Sequence, residues 1–216
     1  MPRQARLTAP NLFYHIFNRG TNQKSIFKTQ SDYLRFLENL KKYKKKFDWL
    51  IYSYCLLPTH YHLQIQARKY PLGKILLSLQ TAYSVYFNKK YQTNGPLFQG
   101  RYKSIIVQNG DYFLHLSKYI HLNPVKLNLT KNPLNYPFSS YGEYCQEPKH
   151  PYQLIDKRAS EKIIGKSTKQ NIRKYRQFVE ETENLIYTPN EATRGIVGSL
   201  RYINYLESKF KDSNVV

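Results

Sequence analysis

Leu50-Ile51-Tyr52-Ser53-Tyr54-Cys55-Leu56-Leu57-Pro58-Thr59-His60-Tyr61-His62-Leu63-Gln64-Ile65-Gln66 decides the fold. Strand formers dominate from Trp49 to Leu57, Pro58 interrupts them, and a second strand-like run follows from Thr59 to Gln66. So short an interruption predicts an antiparallel hairpin. Side chains alternate faces along a strand, so His60 and His62 share one face. Two imidazoles on one face have two readings: they line the polar side of a half-buried strand, or they share a divalent cation through ring nitrogens.

Working outward, Leu12–Asn18 reads as a strand closed by Arg19-Gly20, with Phe13, His15 and Phe17 on one face. Residues 30–46 read as a helix. Tyr33, Phe36, Leu37, Leu40 and Tyr43 form its apolar stripe, and Thr29-Gln30-Ser31-Asp32 resembles a capping box before it. Residues 71–91 read as a long helix burying Leu72, Ile75, Leu76, Leu79, Tyr83 and Tyr86. Asn94-Gly95-Pro96 is a turn, and Lys103–Gln108 a fourth strand. The order β-α-β-β-α-β predicts an α+β, ferredoxin-like split βαβ fold, with an antiparallel sheet and helices on one face.

Asn109-Gly110-Asp111 starts a further helix, expected to run to about Leu122 with Pro124 as its stop. Residues 128–153 are polar and rich in Pro and Tyr, and read as a wrapping segment. Helical stretches are expected near 158–164, 168–182 and 199–210. The chain is therefore expected to divide into an α+β unit (1–127), the irregular wrapping segment (128–153) and a helical C-terminal extension (154–216).

The chain has 216 residues, with 34 Lys+Arg against 14 Asp+Glu, a formal net charge of +20. Such an excess points to a polyanionic partner, nucleic acid or an anionic surface. No run approaches the roughly 18 apolar residues a spanning helix needs. Nor does the basic start, Met1–Arg6, lead into an apolar stretch resembling a signal peptide. Cys55 and Cys145 lack metal-ligand spacing, so reduced thiols and a cytoplasmic setting are expected. Tyrosines interleave with basic residues, as in Arg101-Tyr102-Lys103 and Lys118-Tyr119. Rings that stack on bases beside charges that track phosphates suit single-stranded nucleic acid; a generally Lys/Tyr-rich proteome would give similar text.

Tyr119 and Asn123 are four residues apart and share a helix face. Because Asn123 precedes Pro124, it is expected in a terminal turn. If this helix packs beside the His60/His62 strand, three metal ligands and one phenol converge. Those parts suit phosphodiester transesterification, in which a tyrosine hydroxyl attacks a phosphorus polarised by Mg²⁺ or Mn²⁺.

Four blocks carry a resemblance: Tyr14-His15-Ile16-Phe17-Asn18-Arg19-Gly20, Leu57-Pro58-Thr59-His60-Tyr61-His62-Leu63, Gly95-Pro96-Leu97-Phe98-Gln99-Gly100-Arg101-Tyr102-Lys103 and Lys118-Tyr119-Ile120-His121-Leu122-Asn123-Pro124-Val125. In this order, over roughly residues 10–145, they resemble the single-tyrosine HUH (His-hydrophobe-His) transposases, especially the REP-associated and insertion-sequence branches. The resemblance implies His60, His62 and Asn123 as metal ligands and Tyr119 as the nucleophile. It implies cleavage of single-stranded DNA near hairpins through a 5′-phosphotyrosine, releasing a 3′-hydroxyl for strand transfer.

Tyr61 replaces the usual aliphatic residue and is expected to point into the core. Arg19, Arg101 and Lys103 are expected phosphate contacts. His15 is read as packed or hydrogen-bonded rather than a ligand, and His115 as exposed. The expected partner is hairpin-bearing single-stranded DNA, with a homodimer or a monomer both open, no membrane, and a bacterial nucleoid-associated place in the cytoplasm. The alternatives are a non-cutting hairpin-binding protein derived from a transposase, and a replication initiator or relaxase. The modest spacing from the histidines to the tyrosine, with no helicase following, disfavours the second.

Overall fold

In the computed structural model, which describes residues 7–181, 187–193 and 195–212, the hairpin is where the sequence puts it. Strand β2 (Leu50–Leu57) turns through Pro58-Thr59 into β3 (His60–Gln66), with Leu57 opposite His60 and an irregularity between Ile51 and Ser53. Strand β1 (Phe13–Arg19) pairs antiparallel with β3 on one side and with β4 (Lys103–Val107) on the other. The sheet order is β2-β3-β1-β4-β5, in which β5 is the short strand Ile196–Val197. The first four strands match the expected antiparallel split βαβ sheet. The fifth corrects it, since β5 joins β4 in parallel. A two-residue strand carries too little pattern to be read from sequence.

Alternation sorts the sheet residues cleanly. Tyr14, Ile16, Tyr61, Leu63 and Ile65 enter the core shared with helices α1 (Gln30–Phe47) and α2 (Leu72–Tyr91), through Phe36, Leu40, Ile75, Leu79 and Tyr83. Tyr61 thus points away from the His60/His62 face, as expected, and its hydroxyl accepts from Gln80 at 2.8 Å. The capping box before α1 is present. Its Asp32 is fully buried and also binds Lys90 at 2.6 Å and the Tyr91 and Tyr86 hydroxyls, tying α1 to α2.

Helices are not confined to that face. Helix α3 (Asp111–Lys126) packs across the opposite one, burying Leu116 and Ile120 against Cys55, Leu57, Ile105 and Val107. It also runs past the expected stop, with Pro124 inside it. Proline removes one donor, but only the last turn remains, and the Leu127 N–H closes it on the Asn123 carbonyl at 3.0 Å. Asn123 therefore stays helical, on the face of Tyr119.

The wrapping segment lies along β2. The Leu56 N–H donates to the Phe138 carbonyl at 2.9 Å and the Ser140 N–H to the Tyr54 carbonyl at 3.0 Å, so an otherwise unpaired sheet edge is covered. It contains the short helix α4 (Tyr141–Tyr144). Helices α5 (Lys157–Ile164), α6 (Lys169–Glu180) and α7 (Leu200–Asp212) follow. α5 and α6 enclose a second core with Leu50, Tyr52 and Phe113. His121 anchors this layer from α3, bonded to Ser140 Oγ at 2.8 Å and the Tyr175 hydroxyl at 3.0 Å. His115, expected to be exposed, is 9% exposed and packs edge-on to Phe178, because α6 covers that side of α3. Both cysteines are free and buried. Among the described residues no helix is long and apolar enough to cross a membrane.

Candidate active site

Strand β3 presents His60 and His62 beneath α3, with β1 alongside them: Arg19 lies opposite His60, and Phe17 opposite His62. Tyr119 and Asn123 descend from α3, and Arg101 and Lys103 come from the approach to β4 and its first residue. All seven residues singled out in the sequence line one cleft of about 650 Å³, together with Phe17, Asn18, Gln23, Thr59, Gln99 and Leu127.

The His60 and His62 rings are 5.1 Å apart between centroids and nearly perpendicular, at 87°. Tyr119 stands edge-on to His62, 5.6 Å away at 90°. Both histidines meet protein partners through Nδ1: His60 to Thr59 Oγ1 at 3.0 Å, His62 to His15 Nε2 at 2.8 Å. Nε2 of each is the nitrogen left for a cation. Burial holds both imidazoles below the ordinary histidine range, with Arg19 adding to the effect at His60, and His15 and His60 at His62. They are therefore neutral, with lone pairs available, at physiological pH.

Asn123, 6% exposed, donates through Nδ2 to the Tyr119 carbonyl at 2.8 Å, one turn back. That bond fixes the amide, leaving its oxygen as the donor to a cation. Burial raises the Tyr119 phenol above its ordinary pKa, partly offset by its contact with the Asn123 side chain. The Lys126 ammonium lies 5.0 Å over the Tyr119 ring, and its own pKa is lowered by burial and then by Lys118. At the rim, Arg19 Nε bonds Gln99 Oε1 and Lys103 Nζ lies 5.9 Å from the Phe17 ring centre.

Three neighbours of this cleft were not assigned roles from the sequence. His15 is fully buried and contacts His62, as its hydrogen-bonded reading allows, but its partner could not be foreseen. Tyr187 binds His15 Nδ1 at 2.6 Å from 172 residues away, a separation no local pattern reveals. Lys126, seven residues beyond Tyr119, could have been found from helical spacing alone, since both positions share a face.

Among the described residues no three His, Cys, Asp or Glu side chains are placed to hold a metal ion together, so a cation here would need Asn123 beside the two imidazoles. The spacing suits one. A cation about 2.1 Å from one nitrogen of each of two imidazoles, at roughly a right angle, leaves the ring centres about 4.5–5 Å apart.

A split βαβ sheet with paired histidines under a helix bearing tyrosine defines a class of protein, the single-tyrosine HUH transposases. The profile of the IS200-like transposases matches residues 8–123 of this chain, and the chain belongs to that family. Its fold resembles that of a REP-associated tyrosine transposase solved bound to a REP hairpin. The TM-score is 0.56 at 18% identity, over 74% of this chain and 96% of that one. A Deinococcus radiodurans R1 protein described as a transposase aligns at TM-score 0.39 and 11% identity, over 60% of this chain and 93% of that one. Comparison with curated proteins finds no match.

Proposed function

We propose that this transposase is a metal-dependent endonuclease and strand transferase for single-stranded DNA, cutting near hairpins through a 5′-phosphotyrosine. One observation supports the reading: two imidazoles held neutral by burial, a carboxamide, a phenol and cationic side chains line the same cleft. His60, His62 and Asn123 would hold Mg²⁺ or Mn²⁺, a neutral set that leaves positions open for phosphate and water. When bound, the cation polarises the scissile phosphate and offsets its developing charge.

This chain's residues do the rest. Arg19, Arg101 and Lys103 draw the phosphate backbone into the cleft and align it. The Tyr119 oxygen bonds to phosphorus and gives up its proton, while the bond to the 3′ oxygen breaks and that oxygen gains a proton. The phosphoester bond is conserved, so attack by a 3′-hydroxyl reverses the step and joins strands without hydrolysis. The hairpin in the similar solved complex, and the net charge of +20, support a DNA hairpin as partner.

The test is a labelled library of hairpin-bearing single strands, mixed with the protein and Mg²⁺ or Mn²⁺. The expected result is a denaturation-resistant protein–DNA adduct that Tyr119→Phe does not form. Tight hairpin binding and metal binding without an adduct would instead identify a non-cutting binding protein.

A further inference from the structure

The His15 ring is the middle of a three-member chain, linking Tyr187 on one side to His62 on the other. The His62 Nδ1 lies 2.8 Å from His15 Nε2, and His15 Nδ1 lies 2.6 Å from the Tyr187 hydroxyl. All three side chains are within the protein: His15 and Tyr187 are fully buried and His62 is 5% exposed. Two neutral imidazoles joined nitrogen to nitrogen share one proton across that contact, so the chain has two arrangements. In one, His62 Nδ1–H donates to His15 Nε2, His15 Nδ1–H donates to Tyr187, and His62 Nε2 keeps its lone pair. In the other, Tyr187 donates to His15 Nδ1, His15 Nε2–H donates to His62 Nδ1, and the proton on His62 Nε2 blocks it as a ligand.

We propose that Tyr187 and His15 are positioning residues that set the tautomer of His62, so that the C-terminal extension completes the cation site of the α+β unit. The inference rests on the reading of His62 as a metal ligand. The ligand-competent arrangement needs an acceptor for His15 Nδ1–H, and the Tyr187 oxygen is that acceptor. Without it, a buried N–H is orphaned, which proteins avoid more strictly than an unfilled lone pair. The chain then settles into the arrangement that blocks His62. His15 and His62 lie within residues 8–123, which the family profile matches, and Tyr187 lies beyond them, so the terminal member of the relay comes from this chain's extension.

The test measures Mn²⁺ binding by titration calorimetry and by electron paramagnetic resonance of free Mn²⁺, on the full chain without DNA. Parent, His60→Ala, Tyr187→Phe and the double variant His15→Gln/Tyr187→Phe are compared. Tyr187→Phe keeps the ring and removes only the hydroxyl. It is expected to weaken Mn²⁺ binding by roughly 10–100-fold, the usual range for partners behind a ligand. Glutamine at 15 offers His62 Nδ1–H a carbonyl acceptor that does not depend on residue 187, so the double variant should regain most of the affinity. A general packing defect would not be rescued in this way. Tyr187→Phe binding Mn²⁺ like the parent, or a loss that His15→Gln does not restore, overturns the relay. If the parent binds no Mn²⁺, or His60→Ala binds it equally well, the ligand assignment itself fails, an outcome separable from failure of the relay.

Discussion

Asn123 bonds the backbone of the residue it would serve: its Nδ2 donates to the Tyr119 carbonyl at 2.8 Å. The proposed ligand and the proposed nucleophile are thereby fixed relative to each other within one helical turn, before any substrate arrives. The bond leaves the Asn123 amide oxygen as the atom free to face a cation. Asn123→Ala should weaken Mn²⁺ binding by at least about 10-fold, and nicking by as much or more. Asn123→Asp still offers an oxygen and adds charge but loses the bond to the Tyr119 carbonyl, and the added charge should keep Mn²⁺ affinity near the parent's or above it. This variant should nick more slowly, because the added negative charge opposes the incoming phosphate. Equal metal affinity in parent and Asn123→Ala would remove Asn123 from the ligand set.

Tyr119→Phe isolates the chemical step. The ring keeps its edge-on contact with His62 and its place beneath Lys126, so folding, metal affinity and hairpin affinity should be unchanged. Covalent adduct and nicking should fall by about 10³-fold or more, as expected when a nucleophile is removed. Persistence of the adduct would point to another phenol. Tyr61 is a poor candidate, being fully buried on the opposite face with its hydroxyl bound to Gln80.

His121 gives a prediction about acid stability. Burial pushes its pKa down to about 3, from 6.5, while Ser140 and Tyr175 hold its ring nitrogens. Between these values the unfolded chain takes up a proton that the folded chain refuses. Stability therefore falls as pH drops through that window, by up to about 1.4 kcal/mol per pH unit for this one group. Denaturant midpoints measured at pH 7, 6, 5 and 4 should fall, and less steeply in His121→Gln. Identical slopes for the two proteins would assign the acid sensitivity to other groups.

Long apolar patterns made the core fold legible. The stripes of α1 and α2 and the β2–β3 hairpin were readable because each buries a regular set of side chains, and Tyr61 pointed inward by alternation alone. The pairings of the candidate site were legible as spacings, His60 to His62 and Tyr119 to Asn123, but the cleft joining them was not, because it depends on α3 crossing the sheet. Pro124 misled because its effect on a helix depends on how much helix follows it. His115 was misplaced because the covering helix α6 begins more than fifty residues later. Tyr187 and β5 were invisible, the first for lack of any local pattern, the second because two residues show no period.

Charge at the mouth of the cleft yields the last prediction. Arg19 and Arg101 are exposed and Lys103 stands at the start of β4, so none is needed by the core and each can be removed without unfolding the protein. Every phosphate they neutralise releases condensed counterions, so log affinity for a single strand should fall linearly with log salt. Removing one contact should flatten that slope by about 0.7, whatever the sequence of the strand. Arg101→Ala is the sharpest case. Unlike Arg19, which bonds Gln99, it has no described bond whose loss would confuse the result. If Arg101→Ala weakens binding while the slope stays at the parent's value, Arg101 acts by shape or by contact with bases. If neither changes, DNA enters past other cations of this strongly basic chain, such as Lys126 over the Tyr119 ring.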